Sequence, residues 1–265
     1  MLSHRFSRVF TILLISFSII SCCFDNPIES YLELSPLLPD DQLDKIVLEE
    51  GITYQEVDLE NGEIWQFGLS VTDVITGAKV PFVIALSGDG PGRGEYIPYL
   101  ECLADPGLEE LGGIIFAPDN RAENSWEYDN ATLVMSVINY AVDNWPIDEN
   151  KIIVTGHSNG GYGAWYFGIH YPQIFSAAIP IASRMEYPNN SFIENEKIDT
   201  PIYVIHSTND ELFDIKDVSS KIERLVSLGS DIHFEKVDHL AHSSVCAYSD
   251  HLNNTITWLE NEVWK

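Results

Sequence analysis

Positive charge is what this 265-residue chain has least of: 14 Lys and Arg stand against 41 Asp and Glu, a formal net charge of −27. A surface this acidic repels phosphate backbones and anionic headgroups, which excludes nucleic acid as a partner. Cysteine is scarce as well, four residues in all, and none forms a Cys-x-x-Cys pair. A His-x-x-x-His helix face is also missing, so metal catalysis has no support and no cofactor is expected. The uncharged run Val9 to Ile20, broken only by Thr11, Ser16 and Ser18, falls short of the about 20 apolar residues that span a bilayer as a helix. No internal repeat and no second-domain boundary is visible. What the chain does have is core material: 45 % hydrophobic and 11 % aromatic residues are ample for one large domain.

The first 21 residues read as a targeting segment rather than as part of a fold. Arg5 and Arg8 form a basic start, the Val9 to Ile20 run has the length of a signal-peptide core, and it ends in Ile19-Ile20-Ser21-Cys22. That ending resembles the lipobox of bacterial lipoproteins. The resemblance implies removal of Met1 to Ser21, a lipid on Cys22 as the membrane attachment, and export to the periplasmic or cell-surface face of a membrane. An ordinary secretory signal and an uncleaved anchor are the competing readings. Residues 22–50, acidic and carrying Pro27, Pro36 and Pro39, read as a tether. Outside the cytoplasm a Cys102–Cys246 disulfide is allowed, although sequence alone does not assign it.

From Gly51 to Lys265 the pattern is that of one α/β domain. Ile52 to Val57 and Ile64 to Val71 alternate around Glu60-Asn61-Gly62, predicting an N-terminal β-hairpin. Continuous apolar runs at Pro81 to Leu86, Ile114 to Ala117, Lys151 to Val154, Phe175 to Ile181 and Pro201 to Ile205 predict buried strands, and Ile232 to Val237 an alternating one. Helical spacing appears at Ala131 to Val142, Tyr162 to Tyr171, Val218 to Leu228 and His251 to Val263. Strands alternating with helices predict a mostly parallel central sheet with helices on both faces. The Ala182 to Thr200 connection is too short for a large lid.

The chemistry gathers at Gly156-His157-Ser158-Asn159-Gly160, between a predicted strand and a predicted helix. This fits the Gly-x-Ser-x-Gly nucleophile elbow, in which small neighbours make room for a strained serine. A serine hydroxyl needs a base, and the base needs an orienting carboxylate, in the chain order serine, acid, histidine. Asp210, in the turn after the Pro201 to Ile205 strand, is the acid candidate, with Asp214 and Asp217 further from the strand end. His242 and His239 compete as base after the Ile232 to Val237 strand. His157 and His206 read as structural, since either would break the chain order. The N–H of Asn159 is the first candidate oxyanion donor, and the second comes from the glycine-dense loop after the third strand, from Asp89 or Gly88. Arg121 and Trp126 could line the cleft or serve as a solvated arginine and a core-edge tryptophan.

The stretch Ile147-Asp148-Glu149-Asn150-Lys151, then Gly156 to Trp165, then Tyr171-Pro172-Gln173-Ile174-Phe175-Ser176-Ala177-Ala178 resembles the α/β-hydrolase superfamily. Within it the likeness is to single-domain secreted esterases and predicted peptidases of the polyhydroxybutyrate-depolymerase, feruloyl-esterase and prolyl-oligopeptidase kinds. It covers roughly Ile64 to Trp264. Two departures stand out: Ser87-Gly88 where the family has His-Gly, and Ala241 where a glycine precedes the final histidine. The position of His242 before Ser243-Ser244 echoes hydrolase sequences and favours it over His239. The resemblance implies hydrolysis of a carboxylic ester, small or polymer-borne, through an acyl-enzyme on Ser158, with His242 as base and Asp210 as its partner. A peptidase of the same fold and a non-catalytic binding protein are the alternatives.

Overall fold

The computed structural model describes residues 38–72, 77–88, 96–121, 126–185 and 196–265. Expectations about the targeting segment, the lipid on Cys22 and most of the tether concern residues outside these ranges, as does Asp89.

Eight strands form one sheet in the order β1-β2-β4-β3-β5-β6-β7-β8. The hairpin comes first: β1 (Gly51–Asp58) and β2 (Ile64–Thr72) pair antiparallel, Thr53 opposite Leu69 and Val57 opposite Trp65. β2 runs antiparallel to β4 (Gly113–Pro118). From there every pairing is parallel, through β3 (Val80–Leu86), β5 (Ile147–His157), β6 (Ala177–Ile181), β7 (Ile202–Ser207) and β8 (Ile232–Val237). β3, β4 and β6 are apolar throughout because both of their faces are covered. Successive side chains of a strand point to opposite faces. Phe82, Ile84 and Leu86 accordingly belong to one core, and Val83 and Ala85 to the other.

The first core is covered by α4 (Tyr128–Asn144), α5 (Asn159–His170) and α6 (Ile215–Ser227), which bury Leu133, Phe167 and Ile222 among others. The second is covered by α7 (Ser249–Trp258) and by a helical run not expected from the sequence. That run spans α2 (Tyr96–Tyr99), a π-turn at Leu100–Ala104, α3 (Asp105–Leu108) and a 3-10 turn at Glu109–Leu111. Pro98, Pro106 and Gly107 hide it, since they interrupt any helical periodicity. Pro106 is tolerated because it sits in the first turn of α3, where its missing N–H leaves no bond unmade.

The tether is shorter than expected. Leu38, Leu43 and Ile46 are all buried in the first core, around a short α1 (Asp40–Leu43), so the folded domain begins at or before Leu38 rather than at Gly51. These three apolar side chains carry that docking, and their acidic neighbours masked it. The strand expected from Phe175 also begins later, as β6 at Ala177. Phe175 is instead buried in the turn after α5, with its N–H donated to the Tyr171 carbonyl. Among the described residues no helix is long and apolar enough to cross a membrane.

Candidate active site

The apolar strand β5 ends in His157, and α5 starts at Asn159, leaving Ser158 alone to turn the chain through φ 55° and ψ −115°. A residue with a Cβ pays for positive φ in steric strain, held here by what surrounds it. A Cβ at Gly156 would run into the Gly160 carbonyl, and one at Gly160 into the Leu86 carbonyl. Both glycines are therefore demanded by the close approach of α5 to strands β3 and β5. The Ser158 N–H donates to Ile181 O at 3.0 Å, tying the turn to β6. Asn159, buried, opens α5 with the positive end of the helix beside Ser158.

Two loops at the same end of the sheet meet this serine. Ser158 Oγ lies 2.8 Å from His242 Nε2, and His242 Nδ1 lies 2.9 Å from Asp210 Oδ2. With the hydroxyl donating to Nε2, the ring carries its proton on Nδ1 and donates it to the carboxylate. The Asp210 side chain is fully buried. Burial alone would raise its pKa, but the His242 hydrogen bond and the N–H groups of Phe213 and Leu212, at 2.8 and 2.9 Å from Oδ1, outweigh it and hold the carboxyl below its ordinary range. Asp214 does something else: it caps α6, accepting from the Lys216 N–H at 2.8 Å. Asp217 lies in the first turn of the same helix, and both border a hollow of about 330 Å3 beside Arg184 and Phe213.

The competing histidines separate cleanly. His239 is exposed in a left-handed turn, φ 70°, while His242 is buried against Ser158. His206 is buried and donates from Nε2 to the Phe213 carbonyl at 2.9 Å, bracing the turn that carries Asp210. His157 is buried too and donates from Nε2 to the His242 carbonyl at 2.9 Å. Burial, aided by the neighbouring His242, pushes the His157 pKa down to about 4.

Sequence reasoning missed two contributors and left a third open. Glu211, exposed beside the acid, accepts the His242 backbone N–H at 2.9 Å, and that hydrogen bond lowers its pKa. Tyr99, on the unexpected helical run, helps to line a cleft of about 420 Å3 that reaches Ser158 and His242. The Cys102–Cys246 disulfide, left open by the sequence, joins that run to the segment after His242 and forms part of the same wall. Gly88 borders the cleft, and a Cβ there would lie 3.3 Å from Ser158 Cβ, so the loop after β3 does reach the serine. Among the described residues that line this cleft, neither Trp126 nor Arg121 appears. Trp126 is buried and donates to Ser87 O at 3.1 Å, and Arg121 pairs with Glu63. Among the described residues no group of His, Cys, Asp and Glu is arranged to hold a metal ion.

A family model described as phospholipase/carboxylesterase matches residues 115–259, more than half of the chain. The chain belongs to this family of α/β hydrolases. No match was found among curated proteins. Solved structures agree on the fold. A thermostable esterase superposes with a TM-score of 0.62 at 22 % identity, over 79 % of this chain and 62 % of its own. The fluorophosphonate-binding serine hydrolase F of Staphylococcus aureus gives 0.63 at 16 %, over 81 % of this chain and all of its own. Thermogutta terrifontis esterase 2, phosphorylated by paraoxon, gives 0.63 at 16 %, over 79 % and 93 %. At these identities the likeness is one of fold.

Proposed function

We propose that this hydrolase cleaves a carboxylic ester through an acyl-enzyme on Ser158. The observation that carries the reading is the unbroken chain from Ser158 Oγ to His242 Nε2 at 2.8 Å and from His242 Nδ1 to Asp210 Oδ2 at 2.9 Å. As Ser158 Oγ attacks the ester carbonyl, His242 takes its proton, and Asp210 keeps the imidazole in the tautomer that can do so. His242 returns the proton to the departing alkoxide. Water, deprotonated by the same imidazole, then releases the acid. The Asn159 N–H and a second donor from the loop after β3 stabilise the tetrahedral oxyanion. Among the described residues the cleft beside Ser158 is walled by Tyr99, Val245 and the disulfide, a lining that suits an apolar group of the ester.

Labelling by a fluorophosphonate probe tests this directly. The wild type and His239→Ala should label and hydrolyse short aryl esters. Ser158→Ala should do neither, and His242→Ala should lose roughly 10⁴-fold or more in kcat. An unlabelled wild type would leave a binding protein on a hydrolase fold as the better reading. A kcat/KM higher on peptides than on esters would make the enzyme a peptidase.

A further inference from the structure

The hydrogen bonds of the imidazole orient a ring, but the ring hangs from a loop that has no sheet or helix partner of its own. His242 follows β8 by five residues, between Ala241, half-buried, and Ser243, exposed. Its main chain is nevertheless held at both ends of one residue. The His242 N–H donates to Glu211 Oε2, and the His242 carbonyl accepts from His157 Nε2, each at 2.9 Å. Glu211 immediately follows the acid, and His157 immediately precedes the nucleophile. Each of the other two chain segments that meet at the site thus contributes a side chain to the backbone of the base.

We infer that Glu211 and His157 are positioning residues that clamp the His242 main chain, so that its ring is already aimed at Ser158 before substrate arrives. This rests on the Ser-His-Asp reading above. The physical case for Glu211 is specific. An exposed carboxylate contributes little through charge alone, but its partner here is the N–H of a residue only 7 % exposed. Removing the acceptor takes the partner from a part-buried N–H, which is dearer than losing a surface ion pair. A shift of the base of about 1 Å can cost on the order of 100-fold in rate, so even partial slackening is measurable. His157 meets the complementary need. Its carbonyl partner requires a donor on Nε2, which the ring supplies in its neutral form, while Tyr248 packs against the ring with centroids 5.7 Å apart.

The experiment compares Glu211→Ala, Glu211→Gln and His157→Leu with wild type, using ester kinetics and the rate of fluorophosphonate labelling. Glu211→Ala should lower kcat about tenfold, a part of what full misplacement costs, with KM within about twofold because no cleft residue has changed. The labelling rate should fall by the same factor, since labelling uses the serine and its base but not the ester-binding cleft. Glu211→Gln should recover most of the loss, because its amide oxygen accepts the same N–H. His157→Leu should reproduce the kcat defect. Should that buried variant fail to fold, the exposed Glu211 pair decides alone. Equal labelling by Glu211→Ala and wild type overturns the clamp and leaves the triad standing. So does a Gln variant no better than Ala, which would assign the effect to charge. A wild type that neither labels nor hydrolyses esters overturns the triad reading and the clamp with it.

Discussion

Ser158 and His242 touch at their tips, yet the two are built by opposite means. The serine sits in a turn whose geometry comes from its immediate neighbours: a strand, two glycines and a helix within a few residues, packed so closely that no Cβ fits at Gly156 or Gly160. The histidine sits in a loop whose own residues determine little. Its place is set by Asp210, Glu211 and His157 from two other segments, and by a disulfide that secures Cys246 to Cys102, 144 residues earlier. Local construction is rigid and intolerant of change. Construction by distant contacts spreads the same task over several replaceable interactions.

Three perturbations sharpen that contrast. The largest effect belongs to the elbow: Gly160→Ala sets a methyl against the Leu86 carbonyl, a backbone atom that cannot step aside. We expect a loss of more than about 4 kcal/mol, or no folded protein at all, read from denaturant unfolding and soluble yield. A variant that unfolds at the wild-type midpoint would show the elbow to be looser than described. The base loop should yield more gently. Replacing both Cys102 and Cys246 with Ser should reduce stability by about 2–4 kcal/mol, as for other long closed loops, and should lower kcat while Ser158 still labels, only more slowly. Unchanged kinetics in that variant would mean that side-chain hydrogen bonds alone hold the loop.

The smallest effect is one of pH. His157 has its folded pKa pushed from the usual 6.5 down to about 4, so the unfolded chain binds the proton more readily between those values. Its contribution to stability is then complete above about pH 6.5 and is lost as the pH falls toward 4, at most about 3 kcal/mol. In His157→Leu, unfolding midpoints should vary less over that window than in wild type. An identical pH slope would remove His157 as the source.

The elbow around Ser158 was the most legible feature of the sequence because its constraints are local. Gly156, Ser158 and Gly160, after a β-branched run and before helical spacing, encode strand, elbow and helix within one short stretch. The hairpin and the buried strands were legible for a related reason, since alternation and continuous apolar runs report directly how many faces are covered. The Tyr96–Leu111 run was not, because prolines and a glycine break its periodicity while its residues still bury Leu100, Leu103 and Leu108. Nor was the docking of Leu38 and Leu43, which acidic neighbours disguised as part of a tether.

By itself, then, the sequence determined the hairpin, most of the buried strands and the elbow, because each follows from neighbours a few residues apart. It left the choice between His242 and His239 to a likeness, the disulfide unassigned and Glu211 unnoticed. Tertiary structure alone sets His242 against Ser158, joins the two cysteines and brings Glu211 to the His242 N–H. Three residues separate His239 from His242, and no local pattern distinguishes them; what does is which one the ends of β5 and β7 can reach, a distance fixed only when the parallel strands pack side by side.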